Sequence, residues 1–423
     1  MKSDRFARMQ KSTTLHLAME VKECMRRITE FQDNPGAMEY FYDLFRKTHF
    51  EKDGLAAGMP IIGTMCMQVP EELIMAAGAR PLRLCCGAYA YDQVGADFMP
   101  AKSCPLIKAT AGMLHVNQEY LENTLKTVVI PTTCDQKKKA GELIKSLGYN
   151  VYTLEMPASK DSAAAIFYWQ ESVKQFTLDL QKITGNKITK AKIIDAISKT
   201  TQATSLFRKI YELRKADPGL ILGKDIFLVN NSYFFDNLER WQEAVSLLIS
   251  ELEKRQASGF SAAASQAPRI LFTGSPPIFP NLKVPLLVEE AGAIIVVDEV
   301  CSSNRMLYDT VFYDEENLND MVPALADRYL KPCTCPCLSN NYDRTRKLSD
   351  MAESYKVDGI VYQSLSGCMP YEMEQRQVGA AMDEINLPVL YLETDYSPED
   401  EVQLSTRIEA FIESIKARRR KIQ

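Results

Sequence analysis

Histidine is scarce in this sequence: His16, His49 and His115 are the only three among 423 residues. A mixed Cys/His zinc site is therefore poorly supplied. Basic residues are not in excess either, since the formal net charge is -5. That balance argues against a nucleic-acid partner held by phosphate contacts. No apolar run approaches the roughly 20 residues needed to span a bilayer, so no membrane partner is expected. The opening stretch "MKSDRFARMQKSTTLHLAMEVKECMRRITEF" mixes charges of both signs and lacks the apolar core of a secretory signal, so a cytoplasmic location is expected. Nucleotide-binding motifs are also missing. No G-x-G-x-x-G opens a helix after a strand. "GLILGKD" at 219–225 has three residues between its glycines where a phosphate loop needs four, and Asp225 stands where that loop needs Ser or Thr.

What the sequence does have is cysteine, eleven in all. In a reducing cytosol disulfides are not expected, so an odd and large cysteine count points to metal binding or catalysis. A thiolate-rich site suits zinc, copper(I) or iron–sulfur chemistry.

Residues 1–55 read as a helical segment. A first α/β unit follows over 56–160. "MPIIGT", "RPLRLCCG", "TVVIPTTCD" and "NVYTLEMP" predict strands, and "PEELIMAAG", "CPLIKATAGMLH" and "QKKKAGELIKSLG" predict helices. Residues 161–257 switch to helical periodicity, and "ASGFSAAASQAP" reads as a linker. The first pattern then returns over 258–423, with strands "RILFTG", "AIIVVDEVC", "IVYQSLSGC" and "LPVLYLETDY" and helices "LKVPLLVEEAG" and "KLSDMAESYKVDG". Strands alternating with helices imply parallel sheets. The fold class expected is α/β, with two parallel-sheet domains arising from a diverged duplication, an N-terminal helical segment and a central helical insertion.

Cys66, Cys134, Cys301 and Cys368 each fall just after a predicted strand, and Cys104 lies immediately before a predicted helix. Ligands of open parallel sheets bind outside the carboxyl ends of the strands, so these cysteines can converge from distant sequence positions. Helix N-termini at that edge offer unpaired N–H groups and partial positive charge, which favour thiolates. "PCTCPCLSNNYDR" adds Cys333, Cys335 and Cys337. Its short spacing restricts how many can bind one metal, and Cys335 and Cys337 both remain candidates with one of them spare. Cys85 and Cys86 read as packing or supporting residues, and Cys24 as structural. The triple lysine Lys137, Lys138 and Lys139 opposes its helix dipole. It serves either to offset negative charge or to meet a partner, or else forms a solvated face. "SIKARRRKIQ" complements a helix C-terminus.

"GTMCMQVPEELIMAAGARPLRL", "KSCPLIKA", "VVIPTTCDQKKK", "VVDEVCSSNR" and "CPCLSNNYDR" together resemble the 2-hydroxyacyl-CoA dehydratase and benzoyl-CoA reductase family, from about residue 55 to 420. The resemblance implies two flavodoxin-like domains. It implies three cysteines on one 4Fe–4S cluster, matching Cys66, Cys104 and Cys134. The further loop cysteines Cys301, Cys335 or Cys337, and Cys368 are similar to those of the double-cubane cluster branch, in which six cysteines hold two cubanes bridged by sulfide. The resemblance also implies a separate iron–sulfur ATPase as electron donor, a small-molecule substrate and a homodimer.

Three readings follow. The first is an ATP-dependent reductase of small molecules at a double-cubane cluster. The second is a subunit of a CoA-ester dehydratase or reductase with a single 4Fe–4S cluster. The third is a non-catalytic iron–sulfur carrier or sensor.

Overall fold

The computed structural model describes residues 2–50, 59–121 and 124–422. Helices Lys2–Glu30 and Glu39–Phe50 make up the N-terminal segment, while 51–55 of the stretch expected to be helical lie outside the described residues. Cys24 is buried in the first helix, in the main apolar core.

Two four-stranded sheets follow, each wholly parallel. The first contains β1 (Ile61–Thr64), β2 (Arg80–Arg83), β3 (Leu125–Pro131) and β4 (Val151–Leu154), in the order β2-β1-β3-β4. The second contains β5 (Arg269–Gly274), β6 (Ile294–Glu299), β7 (Gly359–Leu365) and β8 (Val389–Thr394), in the order β6-β5-β7-β8. The same topology thus occurs twice, and the expected α/β class with two flavodoxin-like sheets holds. In each sheet the strand order reverses between the first and third strands, and that reversal opens a crevice at their carboxyl ends.

Both faces of the first sheet are buried, which its β-branched runs require. Ile61, Val128 and Ile130 face a core that also contains Phe272 and Val361 of the second sheet. Alternate residues Ile62 and Val129 face a separate cluster with Trp169, Phe176 and Tyr329. Fully burying each such side chain contributes roughly 1.5–3 kcal/mol. One continuous core therefore fixes the two sheets against each other.

Between the sheets run helices Ala163–Thr184, Lys190–Leu213 and Leu238–Ala257, where periodicity places them. Ser162, Thr189 and Asn237 cap them, each side chain accepting from an N–H in the first turn. A fourth helix, Gly223–Ser232, starts inside the rejected "GLILGKD" stretch. Its first N–H groups, those of Gly223 and Lys224, donate to the Glu289 carboxylate, and Lys224 Nζ bonds Asp225 and Asn34. The anion this helix start receives is a glutamate of the protein itself.

Four of the predicted strands end short of their cysteines, β6 among them at Glu299 before Cys301. β2 stops at Arg83, β3 at Pro131 and β7 at Leu365, so Cys85, Cys134 and Cys368 sit on loops beyond the ladders. Pro70 precedes its helix as the N-cap residue of Glu71–Ala76 and does not lie within the first turn.

Candidate functional site

Three of the singled-out cysteines occupy the same kind of position. Cys104 is the N-cap of helix Pro105–Val116, Cys134 of Asp135–Ser146 and Cys368 of Met369–Glu384. None of the three sulfurs closes a strict capping hydrogen bond. Helix amides are nonetheless turned toward them: Leu106 and Ile107 at Cys104, Lys137 at Cys134 and Tyr371 at Cys368, each pulling the local thiol pKa down.

The two halves meet at these loops. Gln136 donates to the Gly367 carbonyl at 2.7 Å and accepts from the Cys104 amide at 2.6 Å. Gly367 has φ 77°, and a Cβ there would lie 2.2 Å from the Lys102 carbonyl, so only glycine lets the Cys368 loop approach the Cys104 loop this closely. The result is a thiol–thiol contact. Cys368 holds Cys104 below its ordinary pKa, and Cys104 in turn raises Cys368. Lys160 clamps the third cysteine loop to the first half through the Cys333 carbonyl at 2.8 Å, the Lys331 carbonyl at 3.1 Å and Asp343 at 3.0 Å.

Within that loop the three cysteines differ. Cys333 is buried, accepts from Gln68 Nε2 and the Cys335 amide, and is pushed up to about 12 by burial. Cys335 is held at about 6 by its contact with Cys337, which is raised in return. Cys301 is pushed up to about 12 by burial and feels Arg83, Arg305, Cys85 and Cys66. Cys134 is raised by burial and feels Lys137, Cys368 and Cys335. Cys104 thus lies near Cys368, Cys134 near Cys368 and Cys335, Cys335 near Cys337, and Cys301 near Cys66, so cysteines of both halves neighbour one another. Among the described residues, no three His, Cys, Asp or Glu side chains close around a single point as one metal ion requires. His16 is exposed and His115 packs edge-on against Phe6 and Phe98, while the side chain of His49 lies outside the described residues.

The surroundings favour a group bearing negative charge. The Thr133, Ser302 and Tyr396 hydroxyls are buried without a hydrogen-bond partner among the described residues. The first two neighbour Cys134 and Cys301 in the chain, and the Tyr396 hydroxyl feels Cys104, Cys86 and Cys85. Unpartnered buried donors beside sulfur suit a thiolate-bound cluster, whose sulfurs accept hydrogen bonds. A cavity of about 210 Å³ opens between the halves, lined by Gln68, Thr133, Met156, Ala158, Cys335 and Cys337, and it gives this region a way in from solvent.

Two readings made from the sequence sharpen in the structure. Cys85 is half-buried beside Arg83, while its neighbour Cys86 is core filler pushed up to about 12 by burial. Cys85 follows β2 by the same two residues by which Cys301 follows β6, and that match is visible in the sequence. The triple lysine also divides. Lys138 pairs with Asp135 at 2.6 Å and Lys139 with Glu142 at 2.9 Å, whereas Lys137 turns toward Cys66, Cys134, Cys337 and Cys85. Its spacing from buried Ala140, Gly141 and Ile144 is i+3, i+4 and i+7, the inward stripe of the helix, and this signal was available.

Below the site, β6 ends in Glu299, whose carboxylate accepts from Arg305, Arg344 and Thr334. Arg305 also donates to the Tyr371 hydroxyl, and Arg344 to Glu374 and Thr273. Burial opposes the Glu299 charge, but the two arginines outweigh it and hold the carboxyl far below the usual range. This network ties the Cys301 loop to the Cys333–Cys337 loop.

The chain is 32% identical over 366 residues to a protein of Escherichia coli named "Putative dehydratase subunit YjiM", covering 85% of this chain and 92% of that one. It is 25% identical over 370 residues to the (R)-phenyllactyl-CoA dehydratase beta subunit of Clostridium sporogenes, covering 87% and 94%. It is 20% identical over 334 residues to a benzoyl-CoA reductase subunit of Thauera aromatica, covering 78% and 84%. The family model for the 2-hydroxyglutaryl-CoA dehydratase D-component matches residues 66–415, from the first loop cysteine to the final helix, and the chain belongs to that family.

Proposed function

We propose that this protein is a reductase of small molecules that works through a double-cubane iron–sulfur cluster. Cys66, Cys104 and Cys134 hold the cluster from the first half, and Cys301, Cys368 and one of Cys335 and Cys337 hold it from the second. The observation that carries the reading is that Gln136, two residues after Cys134, joins the Cys104 amide at 2.6 Å to the Gly367 carbonyl beside Cys368 at 2.7 Å, so cysteine loops of both halves meet. When bound, such a cluster supplies low-potential electrons, with its potential tuned by charge and hydrogen bonds around the sulfurs. The chain's own residues shape the site. Helix amides at Cys104, Cys134 and Cys368 stabilise thiolates, Lys160 and Gln136 lock the loops, and the cavity beside Cys335 and Cys337 admits a small substrate. A separate iron–sulfur ATPase feeds electrons to the site, and the working form is a homodimer. The absence of a nucleotide motif in this chain agrees with that division of labour.

A second reading draws support from the relatives, two of which are named as dehydratase subunits. In it the chain is one subunit of a CoA-ester dehydratase or reductase, with a single 4Fe–4S cluster on Cys66, Cys104 and Cys134. Anaerobic purification with iron and sulfide analysis separates the two. About eight irons per chain in a homodimer supports the first, and about four beside a second, different subunit supports the alternative. Iron-free protein would overturn both.

A further inference from the structure

Two cations facing the candidate ligand cysteines form no ion pair with a carboxylate among the described residues. Arg83 ends β2. Its guanidinium lies over the Phe234 ring at 4.7 Å and reaches the sulfurs of Met306 at 3.1 Å and Cys85 at 4.0 Å. Glu71 feels Arg83 from farther off, but its own carboxylate is taken by the Tyr233 hydroxyl. Lys137 forms no ion pair among the described residues, unlike Lys138 and Lys139 beside it. Burial works against both charges, yet nearby sulfurs outweigh it: Cys85, Cys301 and Cys66 for Arg83, and Cys66, Cys134, Cys337 and Cys85 for Lys137. Cys66 and Cys85 belong to both sets, so the two cations address the same part of the site. Of the other cations near the cysteines, Arg305 is already neutralised by Glu299, and Lys347 feels Glu299 and Asp309 ahead of Cys333.

Both side chains are half-buried, and a cation partly withdrawn from water without a counter-ion is poorly compensated. A fold keeps two of them together when the compensating negative charge arrives with a ligand. We propose that Arg83 and Lys137 are the fixed positive pair that neutralises the thiolate-bound cluster and holds its reduction potential up. The inference rests on the cluster reading above and adds to it the residues that set the cluster's potential. Neither side chain needs to bind iron or change its protonation, so both are positioning charges and not catalytic residues.

The test uses the full-length protein, loaded anaerobically, as K137M and R83M beside the charge-keeping K137R and R83K. Iron and sulfide per chain are measured together with the midpoint potential from a redox titration followed by electron paramagnetic resonance. The expected result is a more negative midpoint in each charge-removing variant, near-wild-type values in the charge-keeping ones, and a larger shift in the K137M/R83M double variant. Iron lost from the charge-removing variants but kept by the charge-keeping ones, with folding intact by circular dichroism, supports the same conclusion. Full iron content with an unchanged midpoint in K137M and R83M overturns it. So does K137R or R83K behaving like the corresponding methionine variant. Wild-type protein that takes up no iron is a different failure, because it removes the cluster reading itself.

Discussion

The two sheets share one topology but end their second strands with opposite charges. β2 finishes in Arg83, which has no carboxylate partner among the described residues, and β6 finishes in Glu299, which is gripped by two arginines. Glu299 and its two arginines neutralise one another within the second half. The first half leaves positive charge unspent at the cysteines. A duplicated unit can thus keep its backbone while one copy becomes the support and the other faces the ligand.

The sharpest way to break this comparison is at its most equivalent pair, Cys134 and Cys368, each three residues past its strand and each capping a helix. Both C134A and C368A are expected to lose at least half of the bound iron per folded chain. Full iron in C368A would confine the cluster to the first half. Cys85 and Cys301 test where the symmetry stops. C301A is expected to lose iron, whereas C85A keeps it with a changed visible spectrum; equal losses would make the ligand set symmetric.

Next in size is the contrast at the strand ends. E299Q leaves two buried arginines short of their partner and is expected to cost about 3–5 kcal/mol in chemical denaturation. R83M breaks no ion pair and is expected to cost clearly less in the same assay on cluster-free protein. Equal costs would mean that Arg83 is as structural as Glu299.

The smallest effect concerns the first crossover helix of each half. Each buries a glutamate pushed up to about 7 by desolvation, Glu71 in one and Glu289 in the other. A raised carboxyl pKa means that the folded state holds the proton more tightly than the unfolded chain. The stability contributed by Glu289 is therefore fully present below about pH 4.5 and lost as pH rises through about 7. E289Q is expected to flatten the decline of unfolding free energy across that window, and an unchanged slope would assign the decline elsewhere.

Much of this molecule is written in short-range pattern. Apolar runs of four to seven residues, alternating with helices, determined eight parallel strands and their duplication, because strand and helix period depend on neighbours along the chain. Cysteines placed just past those strands marked the site for the same reason. Pairing was not readable. That Cys104 meets Cys368 and Cys335 meets Cys337 depends on how two sheets pack through one core and on a glycine at 367 that allows close approach. The inward phase of Lys137 was readable, but not that Arg83 would meet no carboxylate among the described residues while Glu299 is held by two arginines. Charge compensation acts through space between residues remote in sequence, so only the tertiary structure decided it.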